Sequence, residues 1–268
     1  MWQQLPDIEE LIYMSKISEA FKNKKLFVGF LTAGDPSLEK TEEFIIEMAE
    51  AGAGLIEIGI PFSDPIAEST IIQEANVRAL SAPNGCTTDM VFDMVARVSK
   101  KVDVPLVFVT YLNPVFKYGY DNFCNKCQET GVSGIVIPDM PYEESKEITS
   151  VAENYNVDII STVASTSMER VRMIAKEAKG YVMILSSAKA FREDELPEDI
   201  LDVLDNIKAV TDTPIVMGSG VKNPEQVLKY GPLADGIIVK SAIVKIIAKY
   251  GEEAGPYIRE YIKSMAIL

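Results

Sequence analysis

The chain alternates between short runs of apolar residues and longer amphipathic segments over nearly its whole length. Eight apolar runs are rich in β-branched residues and carry few polar positions, which is typical of parallel strands whose outer face is covered by helices. We therefore predict eight parallel strands. The runs that predict them are 26–31, 55–60, 105–110, 134–137, 158–163, 181–185, 214–217 and 236–239.

Amphipathic helices are predicted between these strands. Apolar residues recur at one-turn spacing over 44–49 and 90–98, and again over 171–175 after the candidate N-cap Ser167. Such stripes indicate helices that bury one face against a sheet. Each helix lies between two predicted strands, so the chain repeats a strand-helix unit.

Eight strand-helix units with right-handed crossovers close into a barrel. Two further helices are predicted outside the repeat, over 8–21 and 256–265, and no linker or low-complexity segment divides the chain. The predicted fold is α/β. It is a single (β/α)8 TIM-barrel domain over residues 1–268, with extra N-terminal and C-terminal helices.

Composition and charge restrict the class of protein. Apolar residues make up 47% of the chain and charged residues 25%, and no apolar run approaches the roughly 18 residues of a membrane span. The net charge of -14 argues against a nucleic-acid partner, which would need a basic surface. Three cysteines are too few for a disulfide framework and the N-terminus lacks a signal pattern, so we expect a cytoplasmic protein.

The chain contains no histidine, which removes whole classes of mechanism. Ser-His-Asp and Cys-His catalysis are excluded, as are histidine metal sites. We interpret the CNKC segment at 124–127 as two small, partly buried residues one helical turn apart rather than a zinc half-site, and we predict no metal. Acid-base chemistry therefore falls to Asp, Glu, Lys, Tyr or Cys.

The segment 55–67, LIEIGIPFSDPIA, carries the clearest candidate for that chemistry. Glu57 interrupts an apolar strand, where a buried carboxylate costs several kcal/mol unless it is hydrogen-bonded or its pKa shifts. Asp64 follows in a turn between Pro61 and Pro65. Proton-transfer groups have this pattern, but a structural glutamate held by backbone donors has it too.

Other polar residues are predicted to meet Glu57, because the active site of such a barrel lies at the carboxyl ends of its strands. The loops after strands 7 and 8 often bind phosphate, and here they contain Gly218, Gly220 and Ser241, the last at the start of a helix. The sequence thus predicts an acid-base site beside an anion site. The polar residues that follow strands 2, 3, 4 and 6 are Asp64, Glu68, Tyr111, Asn113, Asp139 and Ser186.

Seven segments, spread in order over nearly the whole chain, resemble the alpha chain of tryptophan synthase. The resemblance implies a barrel that cleaves indole-3-glycerol phosphate to indole and glyceraldehyde 3-phosphate by a retro-aldol reaction. It also implies an alpha2beta2 assembly in which the beta chain, and not this chain, carries pyridoxal phosphate. The segments are GFLTAGDP at 29–36, LIEIGIPFSDPIA at 55–67, IIQEANVRAL at 71–80, YLNPVFKYG at 111–119, PDMPYEES at 138–145, NPEQ at 223–226 and SAIVKII at 241–247.

The same resemblance assigns roles to individual residues. It implies that Glu57 is the general acid-base, and that Glu68 takes the place of the family's second catalytic carboxylate, an aspartate. Substrate-binding positions that it implies are Phe30, Asp64, Tyr111, Asp139, Gly220, Lys240 and Ser241.

Several positions depart from the family pattern, and all of them lie around the predicted site. Glu68 is one methylene longer than aspartate, Phe191 replaces a threonine of the mobile loop, and Ser219 replaces an aromatic residue. Arg192 and Lys240 replace glycines on the phosphate side.

These departures leave two alternatives to the lyase open. One is a catalytically impaired alpha chain that acts as an allosteric partner of a beta chain. The other is a retuned pocket that performs a different carbon–carbon cleavage through a Schiff base on Lys240.

Overall fold

The chain folds into a closed barrel of parallel strands. A computed structural model describes residues 15–22, 24–164, 167–185, 200–218, 221 and 223–265. Within them, eight strands pair in sequence order and the last pairs with the first. The predicted α/β barrel is therefore confirmed. The strands are β1 (Leu26–Thr32), β2 (Leu55–Gly59), β3 (Leu106–Val109), β4 (Val132–Val136), β5 (Asp158–Val163), β6 (Lys179–Ile184), β7 (Ile215–Met217) and β8 (Gly236–Val239).

Helices surround this barrel and connect its strands. The C-terminal helix that was predicted outside the repeat is confirmed. It is the last helix of the described chain, and it packs against the second and eleventh helices. Of the N-terminal helix predicted over 8–21, residues 16–20 are helical, and residues 8–14 lie outside the described residues. The helices are α1 (Lys16–Ala20), α2 (Leu38–Glu50), α3 (Thr70–Leu80), α4 (Thr88–Val98), α5 (Leu112–Tyr118), α6 (Tyr120–Thr130), α7 (Lys146–Ala152), α8 (Met168–Lys176), α9 (Ile200–Lys208), α10 (Pro224–Tyr230), α11 (Ser241–Tyr250) and α12 (Gly255–Met265).

Side-chain caps determine where several of these helices begin. Ser37, Thr87, Ser167 and Asn223 each accept a hydrogen bond from the backbone N–H three residues further along. This bond satisfies a donor that the first turn of a helix leaves unpaired. The local sequence thus specifies the helix starts, and burial of each apolar stripe against the strands adds the tertiary stabilisation.

Side chains of the strands alternate between the barrel interior and the layer beneath the helices. Glu57 is in register with Phe30 of β1 on one side and with Val107 of β3 on the other, so its side chain shares the interior with theirs. The fold therefore places a carboxylate among apolar side chains inside the barrel. The strands contribute these buried apolar side chains to the interior: Leu26, Val28, Phe30, Leu55, Val107, Val109, Val136, Ile160, Tyr181, Met183, Val216 and Ile238.

The described part of the chain adds three findings that bear on the class of protein. It contains no helix that is both long and apolar enough to cross a membrane. It contains no group of three or more His, Cys, Asp or Glu side chains placed to hold a metal ion. Cys124 and Cys127 are buried free thiols, as predicted, and burial raises the pKa of Cys124 to about 11, so that the thiol stays protonated.

Candidate active site

Glu57 is the centre of a polar cluster inside the barrel. Its side chain is fully buried, and Oε1 accepts a hydrogen bond of 2.6 Å from the hydroxyl of Tyr181 on β6. Nζ of Lys240 lies 3.4 Å from Oε2 and forms an ion pair with it. Within the described residues Oε2 accepts no hydrogen bond. One oxygen therefore accepts a short hydrogen bond, while the other faces the ammonium group at a longer distance.

Lys240 reaches this cluster from the start of α11. It follows β8 directly, and its Nζ lies 4.0 Å from Oε1 of Glu68 and 5.0 Å from the centre of the Phe30 ring. Burial lowers the pKa of Lys240, but Glu57 and Glu68 outweigh this effect, and the net direction is upward. Lys240 is therefore a cation at neutral pH, whereas a Schiff-base nucleophile needs a neutral amine.

Glu68 is the second carboxylate of the cluster, in the loop between β2 and α3. Its side chain is 10% exposed, and Lys240 lies between it and Glu57 as a shared counter-ion. Burial raises the pKa of Glu68, Lys240 lowers it and Glu57 raises it, with a net upward direction. Two neighbouring carboxylates thus have different environments, as in sites where one takes up a proton more readily than the other.

The loops around this cluster are tied to one another by hydrogen bonds. The hydroxyl of Tyr111, after β3, accepts a bond of 3.1 Å from the N–H of Ala67, one residue before Glu68. The Oγ atoms of Ser69 and Ser241 lie 3.1 Å apart, which joins the start of α3 to the start of α11. The cluster therefore lies on a rim whose segments hold each other in place.

Tyr111 itself is buried, and its ring stacks on Phe62 with the ring centres 5.3 Å apart. Burial, with a contribution from Glu68, raises the pKa of Tyr111, so its hydroxyl stays protonated. Asp139 accepts a bond of 2.9 Å from the N–H of Leu112 and so joins the loop after β4 to the start of α5. Both residues position backbone segments at the mouth.

The structure brings together only part of the predicted site. Glu57, Glu68, Lys240 and Phe30 form one cluster, and Tyr111 and Ser241 are linked to the loop that carries Glu68. Asp64 is exposed, and the bond that it accepts comes from its neighbour Ser63, at 2.6 Å. Predicted residues that lie outside the described part of the chain are Ser186, Phe191, Arg192, Ser219 and Gly220.

Tyr181 is a site residue that sequence reasoning missed. It lies in the apolar run predicted as strand 6, where an aromatic residue is read as core. Two signals pointed to it: a buried tyrosine hydroxyl usually needs a polar partner, and Glu57 needed a donor. Burial raises the pKa of Tyr181 well above its ordinary value, and Glu57 adds to the effect, so the hydroxyl remains a donor.

The cluster is equipped to move protons. It combines a desolvated carboxylate that a hydroxyl orients, a second carboxylate whose pKa is raised, and an ammonium group between them. Groups with these properties serve as general acids and bases when a substrate excludes water from the site.

Comparisons with known proteins agree with the geometry. The family model described as the tryptophan synthase alpha chain matches residues 17–265. The tryptophan synthase alpha chain of Lacticaseibacillus casei is 42% identical over 255 residues, which cover 95% of both chains. That of Petrotoga mobilis is 37% identical over 259 residues, or 95% of this chain and 100% of the relative.

Solved structures give the same result. The tryptophan synthase alpha subunit of Pyrococcus furiosus is 33% identical, with a TM-score of 0.84, over 91% of this chain and 99% of that one. A chain of the tryptophan synthase complex from the same organism matches with a TM-score of 0.83, again over 91% of this chain and 99% of that one. With these matches from α1 to α12, the chain belongs to the tryptophan synthase alpha chain family.

Proposed function

We propose that this chain cleaves indole-3-glycerol phosphate to indole and glyceraldehyde 3-phosphate, in tryptophan biosynthesis. Membership of the family supports this function. The observation that carries it is the fully buried Glu57 carboxylate, which Tyr181 orients inside the barrel. A desolvated carboxylate at the mouth of a barrel is typical of a proton-transfer group.

The reaction needs one proton delivered and one proton removed. In its protonated form Glu57 gives a proton to C3 of the indole ring, and the electron pair of the ring nitrogen supports the new C–H bond. The carboxylate then takes the proton of the glycerol hydroxyl, the carbon–carbon bond breaks, and its electrons return to the ring. Glu57 ends in the state in which it began, so one carboxyl group can serve both steps.

The remaining predicted residues are assigned to substrate binding. Phe30 provides an apolar wall beside Glu57. Glu68, whose Oε1 lies 4.0 Å from the ammonium of Lys240, is assigned as the second catalytic carboxylate, which accepts a hydrogen bond from the indole N–H. We assign the phosphate group to Lys240, to Gly220 and to Ser241 at the start of α11, where backbone N–H groups and the helix dipole favour an anion. Asp64, Tyr111 and Asp139 complete the binding set.

A tryptophan synthase beta chain is the proposed partner, in an alpha2beta2 assembly. The solved complex of Pyrococcus furiosus contains a chain similar to this one. Pyridoxal phosphate belongs to the beta chain in this proposal, and the chemistry assigned here uses only side chains. We place the assembly in the cytoplasm, in keeping with the free thiols of Cys86, Cys124 and Cys127.

Substitution of Glu57 tests the function. We expect Glu57→Gln to lower the rate of indole release by about 100-fold or more, because the amide can neither give nor take the proton. Glu43→Gln, on the exposed surface of α2, is the matched control and should leave the rate unchanged. The measurement is an indole-release assay with indole-3-glycerol phosphate, with and without a beta chain, on variants whose circular dichroism matches the parent.

The two alternatives predict different results in that assay. An impaired alpha chain would release no indole in the parent form but would still stimulate a beta chain. A Schiff-base enzyme would form an adduct on Lys240 that borohydride traps. Neither is favoured, because the relatives match over nearly the whole chain and the cationic state of Lys240 opposes nucleophilic attack. Equal indole release by the parent and Glu57→Gln would remove Glu57 from the mechanism.

A further inference from the structure

Lys240 contacts the candidate catalytic carboxylate and also belongs to the candidate phosphate site. Its backbone lies at the start of α11 beside Ser241, whereas its Nζ extends to within 3.4 Å of Glu57. A glycine, which the resemblance implies at this position, has no side chain to make that contact. Phosphate binding therefore does not by itself account for the contact of Lys240 with Glu57.

The ion pair has a definite effect on Glu57. A positive charge at this distance favours the ionised form of a carboxyl group, and a hydroxyl that donates to the other oxygen does the same. In the substrate-free chain both carboxyl oxygens of Glu57 face such groups, the ammonium of Lys240 and the hydroxyl of Tyr181. A carboxylate can act as a base, but it has no proton to give to carbon.

The phosphate group of a substrate would compete for the same ammonium. A phosphate monoester carries more negative charge than one carboxylate, and lysine binds phosphate as a point charge on a flexible stem. Nζ of Lys240 lies 3.4 Å from Oε2 of Glu57, which is longer than the about 2.7–2.9 Å of a strong charge-assisted hydrogen bond, so a phosphate oxygen can compete for the ammonium.

We propose that Lys240 is a positioning residue that holds Glu57 ionised in the empty site and transfers its charge to the phosphate group when substrate binds. Glu57 then takes up, from solvent, the proton that it delivers to the indole ring. This inference rests on the proposed function for the identity of the phosphate ligand. In this proposal, binding of phosphate at the start of α11 controls the protonation of Glu57 inside the barrel.

Few titratable groups lie close enough to Glu57 to influence its titration. Within the described residues, the titratable groups that face Glu57 are Tyr181 from β6, Glu68 from the loop after β2, and Lys240 itself. Tyr111 lies beyond Glu68 and interacts with that carboxylate. A substitution at position 240 leaves the other three in place.

The test follows the titration of Glu57 in the absence of substrate. Carboxyl carbon NMR of the full chain with labelled glutamate gives the protonation curve, and the Glu57→Gln spectrum assigns the signal. In Lys240→Met we expect Glu57 to take up its proton about one pH unit or more higher than in the parent. Lys249→Met removes the same charge from the exposed end of α11 and should leave the curve unchanged.

Inorganic phosphate supplies the second arm of the experiment. Saturating phosphate should move the parent curve toward that of Lys240→Met, and it should not move the curve of the variant. Identical curves for the parent and Lys240→Met would overturn the inference. A parent curve that phosphate does not move would also overturn it, because the ammonium would then stay with Glu57.

The experiment includes a second variant at position 240 and a readout that does not depend on turnover. If Lys240→Met does not fold, Lys240→Gly opens space for water beside Glu57 and serves the same purpose. The titration needs no turnover, so failure of the proposed lyase would be seen in the indole assay alone, while failure of this inference would be seen in the titration.

Discussion

At the scale of single residues, the two carboxylates of the cluster differ because their surroundings differ. Glu57 has a hydroxyl donor at 2.6 Å and an ammonium at 3.4 Å. For Glu68, the described residues offer the ammonium, at 4.0 Å, against the cost of burial. The upward shift in the pKa of Glu68 follows from that balance. Residue type alone could not distinguish the two.

This difference predicts a pH dependence of stability. The pKa of Glu68 is higher in the folded chain than in the unfolded chain, so the protonated carboxyl group stabilises the folded state at pH values below the unfolded-state pKa. This stabilisation is lost as the pH rises through the folded-state pKa. Glu68→Gln does not ionise. We therefore expect the free energy of unfolding of Glu68→Gln, minus that of the parent, to increase between pH 4.5 and pH 7.5. Urea denaturation at the two pH values measures this difference.

The control for this prediction is Glu169→Gln, at an exposed position of α8. Its free energy of unfolding, minus that of the parent, should be the same at both pH values. A difference between Glu68→Gln and the parent that is the same at pH 4.5 and pH 7.5 would show that Glu68 has the same pKa in the folded and unfolded chains, and would contradict the prediction.

At the scale of elements, α3 holds the loops that carry the site. Its Arg78 forms two hydrogen bonds of 2.8 Å with Asp35, which is buried in the turn after β1. Its Asn76 accepts a bond of 2.9 Å from the N–H of Phe62 in the loop after β2. The helix thus joins the ends of two neighbouring strands, and the residue before its N-cap is Glu68.

Loss of the Arg78 side chain should therefore weaken the fold. Arg78→Gln leaves Asp35 buried without its counter-ion, and we expect the free energy of unfolding at pH 7 to fall by about 1–3 kcal/mol, less than for a fully buried pair because Arg78 is partly exposed. Urea denaturation measures this change. Lys40→Gln, which breaks an exposed ion pair with Glu43, should have little effect, and an equal loss in both variants would contradict the distinction.

At the scale of the whole molecule, the rim of the barrel carries exposed apolar side chains beside the site. Ile66 in the loop after β2 is 77% exposed, and Phe116 on α5 after β3 is 68% exposed. Large apolar residues on neighbouring segments at one end of a barrel are typical of a surface that another protein covers. The proposed beta chain would cover it and close the site in the same step.

We expect the double variant Ile66→Ser with Phe116→Ser to bind a tryptophan synthase beta chain about tenfold or more weakly, because buried apolar area is lost from the interface. Isothermal titration calorimetry measures the affinity. Leu228→Ser, at an exposed apolar position of α10, is the control and should bind as the parent does. Unchanged affinity in the double variant would place the interface elsewhere.

The sequence by itself determined the order of strands and helices and the position of Glu57. Continuous apolar runs and stripes with a period of 3.6 residues are local properties, so the strands and the helices between them could be recognised without coordinates. Glu57 was recognisable because a carboxylate inside an apolar run is costly wherever the strand lies.

Only the tertiary structure decided which groups meet Glu57. Tyr181 lies 124 positions away along the chain, and Lys240 further still, and closure of the barrel brings both to one carboxylate. Strand register and side-chain reach fix these contacts, and neither is encoded in the residues next to each group. The contacts of the site, including the ammonium that faces Glu57, therefore came from the fold rather than from any local pattern.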